Sequence, residues 1–233
     1  MNILKKWLLK LRAKLNKALK NAPSGLGRKR GAAPPLSRPL ACLDGTESSM
    51  KTLIITDIFG KTEPLTELAS LICQEHLILD PYNGKNMDFL DEETAYRYFS
   101  ENIGLKNYTC ALKNLLVNTS APIQIIGFSV GASAIWNISN DATICRNIKS
   151  AICYYGSQIR NNKDITPLFP IELRLPIKEE HFSVGELISS LSNKCNVKIK
   201  QVPHLHGFMN KYSNNYNQEG FKSEIQTYEK CAI

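Results

Sequence analysis

The chain has 233 residues, 43% of them hydrophobic, which suffices for one large core domain or one domain plus an extension. Its net charge of +8 is unevenly placed: residues 1–50 hold eleven Lys and Arg against two Asp and Glu, residues 51–233 eighteen against nineteen. A near-neutral body leaves a nucleic-acid-binding function unsupported, and seven cysteines, odd in number and without a C-x-x-C pair, give neither a disulfide framework nor a metal site.

In chain order, the first predicted element is a basic amphipathic helix over 1–20. Leu4, Leu8, Leu11, Leu15 and Leu19 recur at helical spacing among lysines and arginines. The lysines interrupt every apolar stretch, so the segment is neither an ordinary secretory signal nor a membrane span. A Gly-, Pro-, Ser- and Arg-rich stretch over 21–49 reads as a disordered linker. Three readings of residues 1–49 stay open. They are an upstream extension of a reading frame that starts at Met50, a helix lying on an anionic membrane surface, or an arm for a partner or for targeting. The cysteines read as reduced, mostly buried thiols, which points to the cytoplasm.

From residue 50 to 233 apolar strands alternate with helical patterns. Strands are predicted at 51–57, 76–80, 122–128, 149–155, 171–177 and 196–202, and helices at 63–74, 91–100, 105–117, 131–139, 184–193 and 218–230. Thr62 before Pro64 suits a helix start, and Ser183 with Glu186 has capping-box spacing. This alternation predicts an α/β fold: a three-layer α/β/α sandwich around a mostly parallel sheet of about six strands, with its site at the carboxyl ends of the strands.

The strand at 122–128 runs into Gly127-Phe128-Ser129-Val130-Gly131, a G-x-S-x-G turn that opens a helix. A serine there is presented at the sheet edge, where its oxygen can attack a carbonyl. Serine needs a base to take its proton and a carboxylate to orient that base. Of the four histidines, His206 and then His204 follow the last strand, where the base belongs. His181 comes early, and His76 opens a strand far upstream and is structural. The acid falls in Lys178-Glu179-Glu180-His181-Phe182; Glu180 is preferred, with Glu179 the alternative. The oxyanion hole takes the Val130 N–H and a second donor, Phe59 or Ile58, from the loop after the first strand. Strand-end aromatics Phe59, Tyr82, Phe128, Tyr155 and Phe208 are expected to line a modest apolar pocket. Nothing calls for a metal or an organic cofactor.

Five short motifs stand in order over about residues 51–230: Asp57-Ile58-Phe59-Gly60, the serine elbow, Tyr154-Tyr155-Gly156, Glu180-His181-Phe182 and His206-Gly207-Phe208. Together they resemble the dienelactone hydrolase family of the α/β-hydrolase fold. The resemblance implies hydrolysis of an ester, thioester or lactone through an acyl-serine, with a small-molecule substrate. Three departures stand out. The namesake enzymes carry cysteine at the elbow, aspartate as the acid, and antiparallel strands ahead of the first strand predicted here. The missing strands leave a sheet edge that a second copy could cover, giving a homodimer. A non-catalytic hydrolase-like binding protein is the competing reading.

Overall fold

Short runs of β-branched residues become the strands of one sheet in a computed structural model that describes residues 51–229. The basic segment at 1–20, the linker at 21–49, and Cys42 and Cys231 lie outside the described residues. The strands are β1 (Lys51–Ile55), β2 (His76–Leu79), β3 (Ile123–Phe128), β4 (Ile148–Tyr154), β5 (Ile171–Leu175) and β6 (Val197–Gln201). They lie in the order β2-β1-β3-β4-β5-β6, and every neighbouring pair is parallel. Parallel neighbours need crossovers, which helices supply here: α1 (Glu63–Ile72), α2 (Glu92–Asn102), α3 (Gly104–Leu116), α4 (Val130–Ile138), α5 (Ala142–Cys145), α6 (Val184–Leu191) and α7 (Gln218–Glu229).

Alternate strand residues feed two cores, which is why the strands read as continuous apolar runs. Leu53, Ile55, Ile125, Cys153 and Leu173 pack with residues of α2, α3, α4 and α6. Ile54, Ile126, Phe128 and Tyr154 pack with residues of α1 and α7. Helix starts follow local chemistry. Thr62 Oγ1 accepts from the Leu65 N–H at 3.3 Å, and Ser183 Oγ accepts from Glu186 at 3.2 Å. The six predicted helices are all present; α5 and a 3₁₀ turn at Ser157–Asn161 are too short for a periodic signal. Of the five described cysteines Cys145 and Cys153 are buried, Cys73 is half-buried, and Cys110 and Cys195 are exposed. This corrects the expectation of mostly buried thiols, because Cys110 lies on the outer side of α3 and Cys195 in the turn before β6. No helix among the described residues is long and apolar enough to cross a membrane.

The chain runs from β1 outward to β2 and then returns past β1 to β3. The carboxyl ends of β1 and β3 therefore flank a topological switch point, where open parallel sheets form their crevices. Toward the β6 edge, also near the carboxyl ends of the strands, a buried ionic cluster ties α7 down. Glu224, 3% exposed, pairs with Arg174 of β5, takes Lys200 Nζ at 3.0 Å, and accepts from the Tyr154 hydroxyl at 3.1 Å. Arg174, 6% exposed, also holds Glu172 at 2.8 Å. Removing Glu224 leaves the buried Arg174 and Tyr154 short of a partner and without water. Glu224→Ala is expected to cost about 3 kcal/mol, read as a lower urea midpoint at unchanged m value. A loss under about 1 kcal/mol would mean that the cluster does not hold α7.

Candidate active site

The serine elbow is enforced by sterics. Ser129 sits at φ 51° and ψ −112°, a conformation costing a non-glycine residue about 1–3 kcal/mol. The two flanking glycines leave no alternative. A Cβ on Gly131 would stand 2.5 Å from the Ile55 carbonyl oxygen and 2.6 Å from that of Thr56; one on Gly127 would lie 2.8 Å from the Ala132 nitrogen. These neighbours are backbone and cannot move aside. The strained residue is clamped from both sides: its N–H donates to Tyr154 O at 3.0 Å, and its carbonyl accepts from the Ser133 N–H at 3.0 Å and hydroxyl at 3.1 Å. Oγ is thereby left to face the cleft above the sheet.

Facing it is His206, whose Nε2 lies 2.9 Å from Ser129 Oγ, while Nδ1 lies 2.8 Å from Glu179 Oε1. An ionised carboxylate only accepts, so this contact assigns the proton to Nδ1 and leaves the Nε2 lone pair for the serine proton. The Glu179 side chain is 13% exposed and that of His206 21%. The expected acid, Glu180, is not the residue on the ring: it is exposed and lines the cleft beside Glu179. The reason lies in how the ends of β5 and β6 stay together. The Ile177 N–H donates to His204 O at 2.9 Å, and two residues further along each segment Glu179 meets His206. Glu180 then follows on the outer side. His204 stacks on Phe208, ring centroids 4.9 Å apart, and packs against Gly220 at the start of α7. His76 Nδ1 donates to Cys73 O at 2.7 Å, far from the serine. His181 stands on the rim of the cleft. Gly207, at φ 85°, lets the base loop turn where a Cβ would meet the Ser213 side chain.

For the oxyanion, Val130 is the first residue of α4, so its N–H belongs to the helix turn whose donors have no acceptor within the helix. The second expected donor divides between its two candidates. The Phe59 N–H is taken by Asp57 Oδ1 at 2.9 Å, which removes it; Ile58 lines the cleft. The Tyr82 hydroxyl donates to Ile58 O at 2.6 Å and fixes the Ile58–Phe59 peptide, while the peptide that carries the Ile58 N–H is held through its own carbonyl, Asp57 O, which accepts from the Gly60 N–H at 3.2 Å.

The cleft around Ser129 has a volume of about 740 Å³ and is more polar than expected. Ile58, Tyr96 and Phe182 share it with Glu92, Arg160 and Lys178. Of the five aromatics expected there, Phe59, Tyr82, Phe128, Tyr155 and Phe208, none lines this cleft. Phe128 stacks on Tyr154 in the α1/α7 core, and Phe208 is fully buried. Tyr155 packs its ring 4.8 Å from that of His206, and Tyr82 is committed to the Ile58 carbonyl. Phe128, Tyr155 and Phe208 belong to the core that α1 and α7 cover. Arg160 had no signal in the sequence: its Nη1 donates to Ser157 O at 2.6 Å and its guanidinium lies 4.9 Å from the Phe182 ring centroid. Among the described residues, no group of three or more His, Cys, Asp and Glu is placed to hold a metal ion.

No protein-family model matches the chain. The uncharacterized protein YczH of Bacillus subtilis is 35% identical over 134 residues, which cover 56% of this chain and 64% of that protein, just under two thirds of its length. Among solved structures, dienelactone hydrolase from Anabaena variabilis matches with a TM-score of 0.53 at 10% identity, over 79% of this chain and 86% of that one. A dienelactone hydrolase-like promiscuous phosphotriesterase from metagenomic libraries matches with a TM-score of 0.50 at 10% identity, over 78% and 86%. A lipase-esterase related protein from Clostridium acetobutylicum matches with a TM-score of 0.50 at 12% identity, over 78% and 95%. Together with the parallel six-stranded sheet, these likenesses establish an α/β-hydrolase fold.

Proposed function

We propose that this α/β-hydrolase chain is a serine hydrolase that cleaves an ester, thioester or lactone through an acyl-serine intermediate. The observation that carries the reading is the unbroken hydrogen-bonded row from Ser129 Oγ through His206 to Glu179, opening on a cleft.

In the proposed cycle Ser129 Oγ bonds to the substrate carbonyl carbon while its proton passes to His206 Nε2. Glu179 stabilises the resulting imidazolium through Nδ1–H. The carbonyl oxygen, now an anion, is held by the N–H groups of Val130 and Ile58. The start of α4 adds the positive end of its helix dipole. Collapse breaks the bond to the leaving oxygen or sulfur, which takes the proton from Nε2. Water, deprotonated by the same nitrogen, then attacks the acyl carbon; the bond to Ser129 Oγ breaks as Oγ takes the proton back from Nε2, and the acid is released. The names of the fold neighbours, dienelactone hydrolase and lipase-esterase related protein, point toward the same bond types. The polar cleft, with Arg160 and Glu92 in its walls, favours a substrate that carries polar groups.

The test is covalent. A fluorophosphonate is expected to add one equivalent to the protein, and peptide mass mapping is expected to place it on Ser129. A serine without an activating base does not react at this rate, so absence of the adduct sinks the proposal.

A further inference from the structure

The loop after β1 and the loop after β6 come from strands with β3, β4 and β5 between them, yet they meet above the sheet. They meet at one short hydrogen bond, Asn210 Nδ2 to Asp57 Oδ2 at 2.6 Å, beside a tilted contact of the Phe59 and Tyr212 rings with centroids 6.0 Å apart. On one side, Asp57 organises the loop that carries Ile58: Oδ1 accepts from the Phe59 N–H at 2.9 Å and its carbonyl accepts from Gly60 at 3.2 Å. On the other, Asn210 is fixed within the base loop. Its Oδ1 accepts from the Tyr212 N–H at 2.8 Å and its own N–H donates to Gly207 O at 2.8 Å. Asn210 lies four residues beyond His206.

We propose that Asp57 and Asn210 are a positioning pair that locks the oxyanion loop 57–60 to the base loop 206–213, holding the Ile58 N–H and His206 in one geometry about Ser129. The inference rests on the acyl-serine reading above. A purely structural tie would not need a charge. Burial pushes the Asp57 carboxyl up to about 6, against the opposing pull of the Asn210 and Phe59 hydrogen bonds and of nearby His206; Glu92 adds to the rise. The phenols of Tyr82, Tyr108 and Tyr155 also face its charge. A carboxyl raised on folding binds its proton more tightly in the native state, so stability declines as pH rises from about 4 to about 6 and stays lower above. The fold thus carries a destabilising anion where two loops of the site join, the circumstance in which such groups serve function. Ionised, Asp57 gives both loops a charge-assisted bond.

The hydrogen-bond pattern specifies its own test. Asp57→Asn sets an NH₂ group against the Asn210 NH₂ or, with the amide turned over, against the Phe59 N–H, and Asn210→Asp sets two carboxylates face to face. The double exchange restores a carboxylate opposite an amide, with the two groups traded between the loops. The amide now at position 57 accepts from the Phe59 N–H and donates to the carboxylate now at position 210, which still accepts from Tyr212. Turnover of p-nitrophenyl acetate at pH 8 is measured for the wild type, D57N, N210D, N210A, the D57N/N210D double variant and S129A, with thermal unfolding for each. Each single exchange is expected to lower kcat by about 100-fold with KM within about threefold, as displacement of a transition-state donor does. N210A removes the bond without a clash and lowers kcat in the same direction, so the readout survives if one exchange fails to fold. The double exchange is expected to recover kcat to within about fivefold of wild type, a coupling that independent sites do not show. Single variants that lower only the unfolding temperature while keeping kcat, or a double variant no better than the singles, overturn the proposal. Turnover that persists in S129A instead overturns the acyl-serine reading, whatever the pair does.

Discussion

Ser129→Ala is expected to lower kcat for an ester on the order of 10⁶-fold, and His206→Ala to reach the same floor. In the proposed cycle neither residue does anything without the other. The serine is too weak a nucleophile unless Nε2 takes its proton, and Nε2, 2.9 Å from Oγ, has no other task in attack. The double variant is therefore expected to be no slower than either single one. If the two losses multiply, the residues act separately and the row is not a catalytic unit. Some rate above that in water is expected to survive, about 10³-fold, because the Val130 and Ile58 N–H groups and the cleft remain. Stability is expected to move little. Alanine keeps the strained φ of 51°, and the Ser133 clamps act on the backbone carbonyl of residue 129, not on its side chain.

The sequence carried the sheet and the elbow because both are local. Six apolar runs with helical patterns between them dictate a parallel sheet. Each strand lies within two residues of its expected bounds, and the G-x-S-x-G turn is legible as a short motif: Gly127 answers to Ala132 within the same turn, although Gly131 answers to the Ile55 and Thr56 carbonyls of the distant β1 end. His206 was legible through order along the chain. Three other features were not. Phe59 and Ile58 differ by one position in a tight turn, and only the Asp57 carboxylate, by occupying the Phe59 N–H, decides between them. The aromatics at strand ends have no periodicity left to say which way they face, and Phe128 and Phe208 turned into the core. Asn210 meets Asp57 across 153 positions, a separation no motif reports. Charge and shape converge at the site through loops, and loops are where one-residue shifts change which face a side chain takes.

The sharpest single contrast in the molecule is between two adjacent glutamates in such a loop. Glu179→Gln is expected to lower kcat by about 10⁴-fold, while Glu180→Gln is expected to leave it within about threefold, with KM little changed in both. Glutamine is the same size as glutamate, so packing against the loop is kept. What changes is that the amide can donate as well as accept. It then permits the imidazole tautomer with the proton on Nε2, which cannot take the serine proton, and it no longer offers a negative charge to the imidazolium. Glu180 has neither role, because Ile177 is held to His204 and the next matching step along the two segments places Glu179 against Nδ1. Glu179→Asp is a finer probe. It keeps the charge but withdraws it by one methylene from a contact now at 2.8 Å, and an intermediate loss of about 10–100-fold is expected. Steady-state kinetics on the three variants decide the matter: a large loss in Glu180→Gln with activity retained in Glu179→Gln would reverse the assignment of the acid and require the 178–182 loop to reorganise when substrate binds.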